Sequence, residues 1–183
     1  MDTINNTLGC SEVNLLNSLK GKSLDAVLIT VTPAEVNDGI CESQFSLVDI
    51  VLRTVTADLL LHLEPSDDPV LRSADVYSFK ITAGGVGTFA SPFSGNDICG
   101  NTAGWHELPV GKDVRDIRIY EDAKSCEVTI GGEQTPVRDT SVIALTFSDS
   151  CLVLSKNAFM DNWRIQFQDS PEPDVDGLMT DHA

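Results

Sequence analysis

Residues 110–120 read VGKDVRDIRIY, and residues 20–29 read KGKSLDAVLI. Gly111-Lys112 answers Gly21-Lys22, Val114 answers Leu24, Ile117 answers Val27, and Ile119 answers Ile29. The segments downstream of the two stretches also correspond. After the first come an irregular or weakly extended stretch at 33–46 and two β-rich runs, LVDIVLRTV (47–55) and DLLLHLEP (58–65). VYSFKIT (76–82) then alternates Tyr77, Phe79 and Ile81 on one face. After the second come CEVTIGGE (126–133), the runs TSVIALTF (140–147) and CLVLSK (151–156) about the turn SDS, and WRIQF (163–167), which alternates Trp163, Ile165 and Phe167. The repeated unit is a Gly-Lys corner, a strand, a variable loop, a hairpin and a closing aromatic strand.

A unit of about four strands cannot cover its own apolar face, whereas two such units packed together can. The reading is therefore a mainly β chain, with a β-rich α+β arrangement as its neighbour. Two antiparallel β-meander units, 19–82 and 108–168, pack as a sandwich or form one continuous curved sheet within a single globular domain 1–168. SEVNLLNSLKGK (11–22) adds one short N-terminal helix at 12–20, with Ser11 as N-cap and Gly21 as terminator. Trp163 is expected to be buried, as the counterpart of Tyr77. The Gly-Lys pairs read as turn chemistry, because neither sits in a phosphate-binding loop.

Composition bounds the function classes. The 183 residues are 42% hydrophobic, enough for a sizeable core, and the longest apolar runs fall far short of a membrane span. The start, MDTINNTLGCSE, lacks a basic segment followed by an apolar one. With Cys10, Cys41, Cys99, Cys126 and Cys151 in no paired spacing, the expectation is a cytoplasmic protein with reduced thiols. Twenty-eight acidic against 12 basic residues give a net charge of −16. That field repels nucleic acid and anionic membranes and speeds encounter with cationic partners.

No motif names a reaction. The segment 83–104 holds six of the 13 glycines and reads as an inter-repeat linker, with a binding loop as the alternative. Its GVGTFA (85–90) matches G-x-G-x-x-A, but Pro92 and Gly95 break any following helix, so no dinucleotide site is expected. Cys99 and His106 match no zinc spacing, and His62 beside Glu64 reads as structural. DVDG (174–177) lacks the glutamate of a calcium loop, and 169–183 reads as a flexible acidic tail. The expectation is no catalytic set, no cofactor and no metal.

GKDVRDIRIYED, VIALTFSDSCLVLS and WRIQF together resemble the repeating cores of small β-rich immunity proteins of bacterial polymorphic and contact-dependent toxin systems. That resemblance implies an acidic protein that binds and neutralises a cognate, basic toxin domain such as a nuclease. The alternatives are a non-enzymatic binding or scaffold protein, and a small-ligand protein or enzyme using loop 83–106. Partner contact is assigned to two carboxylate clusters, Glu64, Asp67 and Asp68 in EPSDD, and Glu121, Asp122 and Glu127 in YEDAKSCE.

Overall fold

The computed structural model describes residues 3–31, 36–37, 40–42, 49–89, 104–130, 132–156 and 163–175. In chain order the elements are β1 (Ile4–Asn6), α1 (Cys10–Asn17), β2 (Ser23–Val31), β3 (Val36–Asn37), β4 (Ile40–Glu42), β5 (Ile50–Thr54) and β6 (Asp58–Pro65). There follow α2 (Pro69–Ser73), β7 (Tyr77–Gly84), β8 (Gly104–Asp113), β9 (Asp116–Ile130), β10 (Glu133–Thr146), β11 (Cys151–Lys156) and β12 (Trp163–Gln168).

The mainly β expectation holds, and the strands form two sheets. One is a five-stranded antiparallel sheet in the order β7-β6-β5-β2-β8. The other is seven-stranded and centred on β10, which pairs β9 along one edge. Along its other edge β10 pairs first β1, in parallel, and then β11, with β12, β4 and β3 beyond. Both halves contain a run of four adjacent antiparallel strands, β2-β5-β6-β7 and β9-β10-β11-β12, although β3 and β4, between β2 and β5 in sequence, join the other sheet.

The matched apolar positions meet in one core. Leu24, Val27 and Ile29 from the first half pack with Val114 and Ile117 from the second, and Ile119 lies against the same cluster. Ile50, Leu52, Leu61, Phe79, Ile143, Leu145, Leu152, Leu154 and Ile165 complete the interface between the sheets, and α1 closes it with Leu16. Each fully buried Leu or Ile contributes roughly 1.5–3 kcal/mol of transfer free energy.

The corners themselves depart from the expected geometry. Gly21 and Gly111 both have left-handed backbones (φ 77° and 61°), as turn chemistry requires. Gly21 precedes β2, however, whereas Gly111 lies inside β8, a strand that sequence patterning did not separate from the linker. β8 pairs β2 directly, Lys112 opposite Leu24, so the two Gly-Lys stretches that echo each other in sequence are neighbours in space. VRDIRIYED and CEVTI, expected as separate strands, form the single strand β9, which crosses two register shifts against β10.

Helix α1 begins two residues early, with Gly9 as N-cap and its N–H donated to Glu12 Oε2 at 2.8 Å. The expected Ser11 cap is thus replaced, and α1 ends at Asn17. The second helix, α2, is absent from the sequence reading. Its signal is present in Asp68-Pro69: Asp68 Oδ1 accepts from Val70 N and Leu71 N, and Pro69 occupies the first turn.

Candidate functional site

The two carboxylate clusters lie on segments that pack together. Leu71 of α2 and Val76 are buried against Val128 of β9 and Val137 of β10, with Ile4 of β1 alongside. This small apolar cluster seats the β6–α2–β7 connection on the β9–β10 hairpin. The same segments expose Glu64, Asp67, Asp75 and Glu133, and Glu127 on the face of β9 opposite Val128; Val70 and Ile130 are exposed as well. This end of the fold is rich in exposed carboxylates.

Local contacts divide the predicted residues. Asp67 binds Lys80 at 2.6 Å and lies 3.9 Å from Arg72; the Lys80 hydrogen bond holds its carboxyl below the usual range. Glu64 binds His62 Nε2 at 2.8 Å, which supports the structural reading of that histidine. Asp68 is spent on capping α2. Glu121 pairs with Arg138 at 2.8 Å, on the β9–β10 ladder several residues from the hairpin tip. Asp122 is described only by its backbone, opposite Asp139. Glu127, Glu133 and Asp75 have no ion-pair partner among the described residues. Asp75 and Glu133 were missed; their signal is proximity in the fold, which one-dimensional clustering does not report.

The opposite end joins the sheets. Gly21 N donates to Val114 O at 2.8 Å, Val114 N to Lys22 O at 2.9 Å, and Arg115 N to Thr146 O at 2.8 Å. Ion pairs reinforce these bonds. Lys20 meets Asp116 at 2.8 Å, Lys112 meets Asp149 at 2.9 Å and Ser150 Oγ at 2.7 Å, and Arg118 holds Glu172. Asp116, Asp149 and Glu172 are each held below the ordinary carboxylate range, first by these hydrogen bonds. A recess of about 280 Å³ lies here, lined by Gly111, Lys112, Asp113, Arg115, Ser148 and Asp149.

Two expected loops have structure in their described parts. The glycine-rich segment starts with Gly84 closing β7 and turns so that Phe89 packs on Ala26, Leu28, Val51 and Leu60, the outer face of the five-stranded sheet. A Cβ on Gly84 would stand 2.8 Å from the Phe89 ring, so glycine permits that fold-back. Residues 169–175, expected as part of a solvated tail, are tied down. Gln168 exchanges hydrogen bonds with Asp174 backbone atoms, and Val175 packs over Val142, Ala144, Cys151 and Val153. Cys99, the side chains of His106 and Trp163, and residues 176–183 fall outside the described residues. Among the described residues no His, Cys, Asp and Glu group is arranged to hold a metal, and no helix is long and apolar enough to cross a membrane.

One polar group lies wholly inside. The side chains of Lys156 and Asp139 are 0% and 1% exposed and 2.7 Å apart. Lys156 Nζ also donates to Tyr77 O at 2.7 Å, and Asn6 Nδ2 donates to both Tyr77 O (2.9 Å) and Asp139 Oδ1 (2.8 Å). The group sits where β1 gives way to β11 along β10, and it links the seven-stranded sheet to the edge strand of the other. No protein-family model, curated protein or solved structure matches this chain.

Proposed function

We infer that this chain is an acidic protein-binding inhibitor of the immunity type, which docks a basic toxin domain on its α2/β9–β10 end. The observation that supports this most is the packing of two sequence-distant acidic segments there, Leu71 and Val76 on Val128 and Val137, with Val70 and Ile130 exposed on those same segments. An interface with both apolar and charged side chains combines burial with electrostatic steering. The rest of the charge distribution favours the same reading. At least eight of the 12 basic side chains (Lys20, Arg53, Arg72, Lys80, Lys112, Arg118, Arg138 and Lys156) pair with carboxylates of this chain. Few cations remain to offset the excess acid, so the surface field is negative and draws cationic partners. The contacts are Glu133 and Asp75, with Glu127 on the other face of the hairpin; Asp67, already held by Lys80 and Arg72, and Glu64 lie at the rim, Asp68 acts through α2, and Glu121 stays with Arg138.

The test is capture from the native host, followed by co-expression of the captured protein with wild type and with a Glu127→Lys/Glu133→Lys variant. The expected result is one basic partner that elutes as salt rises and arrests growth when expressed alone. Wild type restores growth, and the double variant does not. Capture of no basic protein, or equal protection by the variant, contradicts the assignment.

A further inference from the structure

The buried junction of Lys156, Asp139 and Asn6 holds more chemistry than a structural ion pair needs. Burying such a pair is on balance no more favourable than packing apolar side chains of the same volume. Here the pair is further surrounded by a second amide and two hydroxyls, each oriented. Lys156 Nζ and Asn6 Nδ2 share both acceptors: each donates to Tyr77 O (2.7 and 2.9 Å) and to Asp139 Oδ1 (2.8 Å from both). Two nitrogens that share both acceptors belong to one compact junction, in which Tyr77 O and Asp139 Oδ1 bridge the amine to the asparagine amide. Asn6 Oδ1 accepts from Ser66 Oγ at 3.0 Å and from Ser78 Oγ. The Phe79 ring lies 5.2 Å from Nζ on its apolar side. Asn6 is 7%, Ser66 2%, Asp139 0% and Lys156 3% exposed.

We propose that Lys156 and Asn6 become joined by a side-chain amide bond formed within the folded chain. The parts match the requirements of acyl transfer: an amine nucleophile, a carboxamide electrophile, a carboxylate touching both nitrogens, and two donors on the carbonyl oxygen. In this low-dielectric site a proton passes from Lys156 to Asp139, because a neutral amine and acid cost less to bury than two ions. The Nζ lone pair attacks Asn6 Cγ, forming the C–N bond and placing negative charge on Oδ1, where Ser66 and Ser78 hold it. Asp139 gives its proton to Nδ2 and takes one from Nζ. The Cγ–Nδ2 bond breaks, and Nδ2 leaves as ammonia. Nothing is oxidised or reduced, and no cofactor is consumed. The bond ties β1 to β11, elements from opposite ends of the sequence, within the seven-stranded sheet and beside the Tyr77 edge of the other. It is independent of what the acidic end binds.

Intact mass of the purified full chain decides the matter. The folded wild type, held at neutral pH, is expected to be lighter than its sequence by one ammonia, and its tryptic digest to contain one peptide pair linked through Asn6 and Lys156. Lys156→Arg is expected at its full sequence mass, and Ser66→Ala/Ser78→Ala to lose ammonia more slowly. A wild-type chain at full sequence mass with no linked peptide overturns the proposal. That outcome is read on wild type, so it does not depend on any variant folding.

Discussion

The two ends of this sandwich handle charge in opposite ways. At the Gly-Lys end carboxylates meet cations: Lys20 with Asp116, Lys112 with Asp149, and Arg118 with both Glu172 and Asp116. These pairs stitch β8, β9, the β10–β11 turn and the C-terminal segment across the seam between the sheets. At the α2/hairpin end the fold holds together by apolar contact, Leu71 and Val76 on Val128 and Val137, and leaves Asp75, Glu127 and Glu133 exposed. The difference is that between a join and a face. Where the chain closes on itself more of its charges are spent internally; at the α2 end Asp75, Glu127 and Glu133 have no ion-pair partner among the described residues, and the proposed partner would meet them there.

This contrast is breakable. The largest effect is expected at the acidic end, where Leu71→Ala opens a cavity in a fully buried site and should cost about 2–4 kcal/mol in chemical denaturation. Unchanged stability would mean that α2 is not held by that cluster. At the other end, Gly21→Ala and Gly111→Ala meet no heavy atom within 4 Å, so their cost is backbone strain alone, about 1–2 kcal/mol each. Asp68→Ala removes the α2 cap, at about 1 kcal/mol. Lys112→Ala breaks an exposed pair and should cost under ~1 kcal/mol.

Acid weakens ion pairs at both ends, more of them at the join. Asp116, Asp149 and Glu172 at the join, and Asp67 at the face, all have folded-state values below the ordinary carboxylate range. Groups so depressed contribute stability above that range and lose it as pH falls through their folded values. The unfolding midpoint should therefore hold from neutrality to about pH 5 and decline below about pH 4. Amide exchange should rise first around residues 112–116 and 148–150. Asp49 runs the other way: burial raises its carboxyl, against the nearby His62, so its contribution fades as pH climbs past the ordinary range.

Much of the fold was legible because alternation and turn chemistry are local. The hairpins β5–β6 and β10–β11, the aromatic strand β7 and the left-handed turn at Gly21 all follow from short windows of sequence. What was not legible depends on partners far along the chain. β1 is three residues with no alternation, made a strand only by Val137–Asp139 of β10. β8 begins at the last glycine of the glycine-rich stretch, carries Pro109 and Gly111 inside it, and is fixed by its ladder to β2. The acidic end shows the same limit. Glu64, Asp67 and Asp68 were visible as a run, but their neighbourhood with Glu127 and Glu133 is made by Leu71 meeting Val128. Lys156 ends an ordinary strand pattern, and no local signal pairs it with Asp139 or Asn6.

The most direct test measures association of the captured basic partner with two charge-reversed variants of equal charge change. One carries Asp75→Lys, Glu127→Lys and Glu133→Lys at the acidic end; the other carries Asp25→Lys, Asp113→Lys and Glu107→Lys on β2 and β8. Both change net charge equally, so a uniform field effect slows both alike. The account predicts that the first loses at least tenfold in affinity and most of its salt dependence, while the second stays within about threefold of wild type. Equal loss in both, or a larger loss in the second, would contradict it.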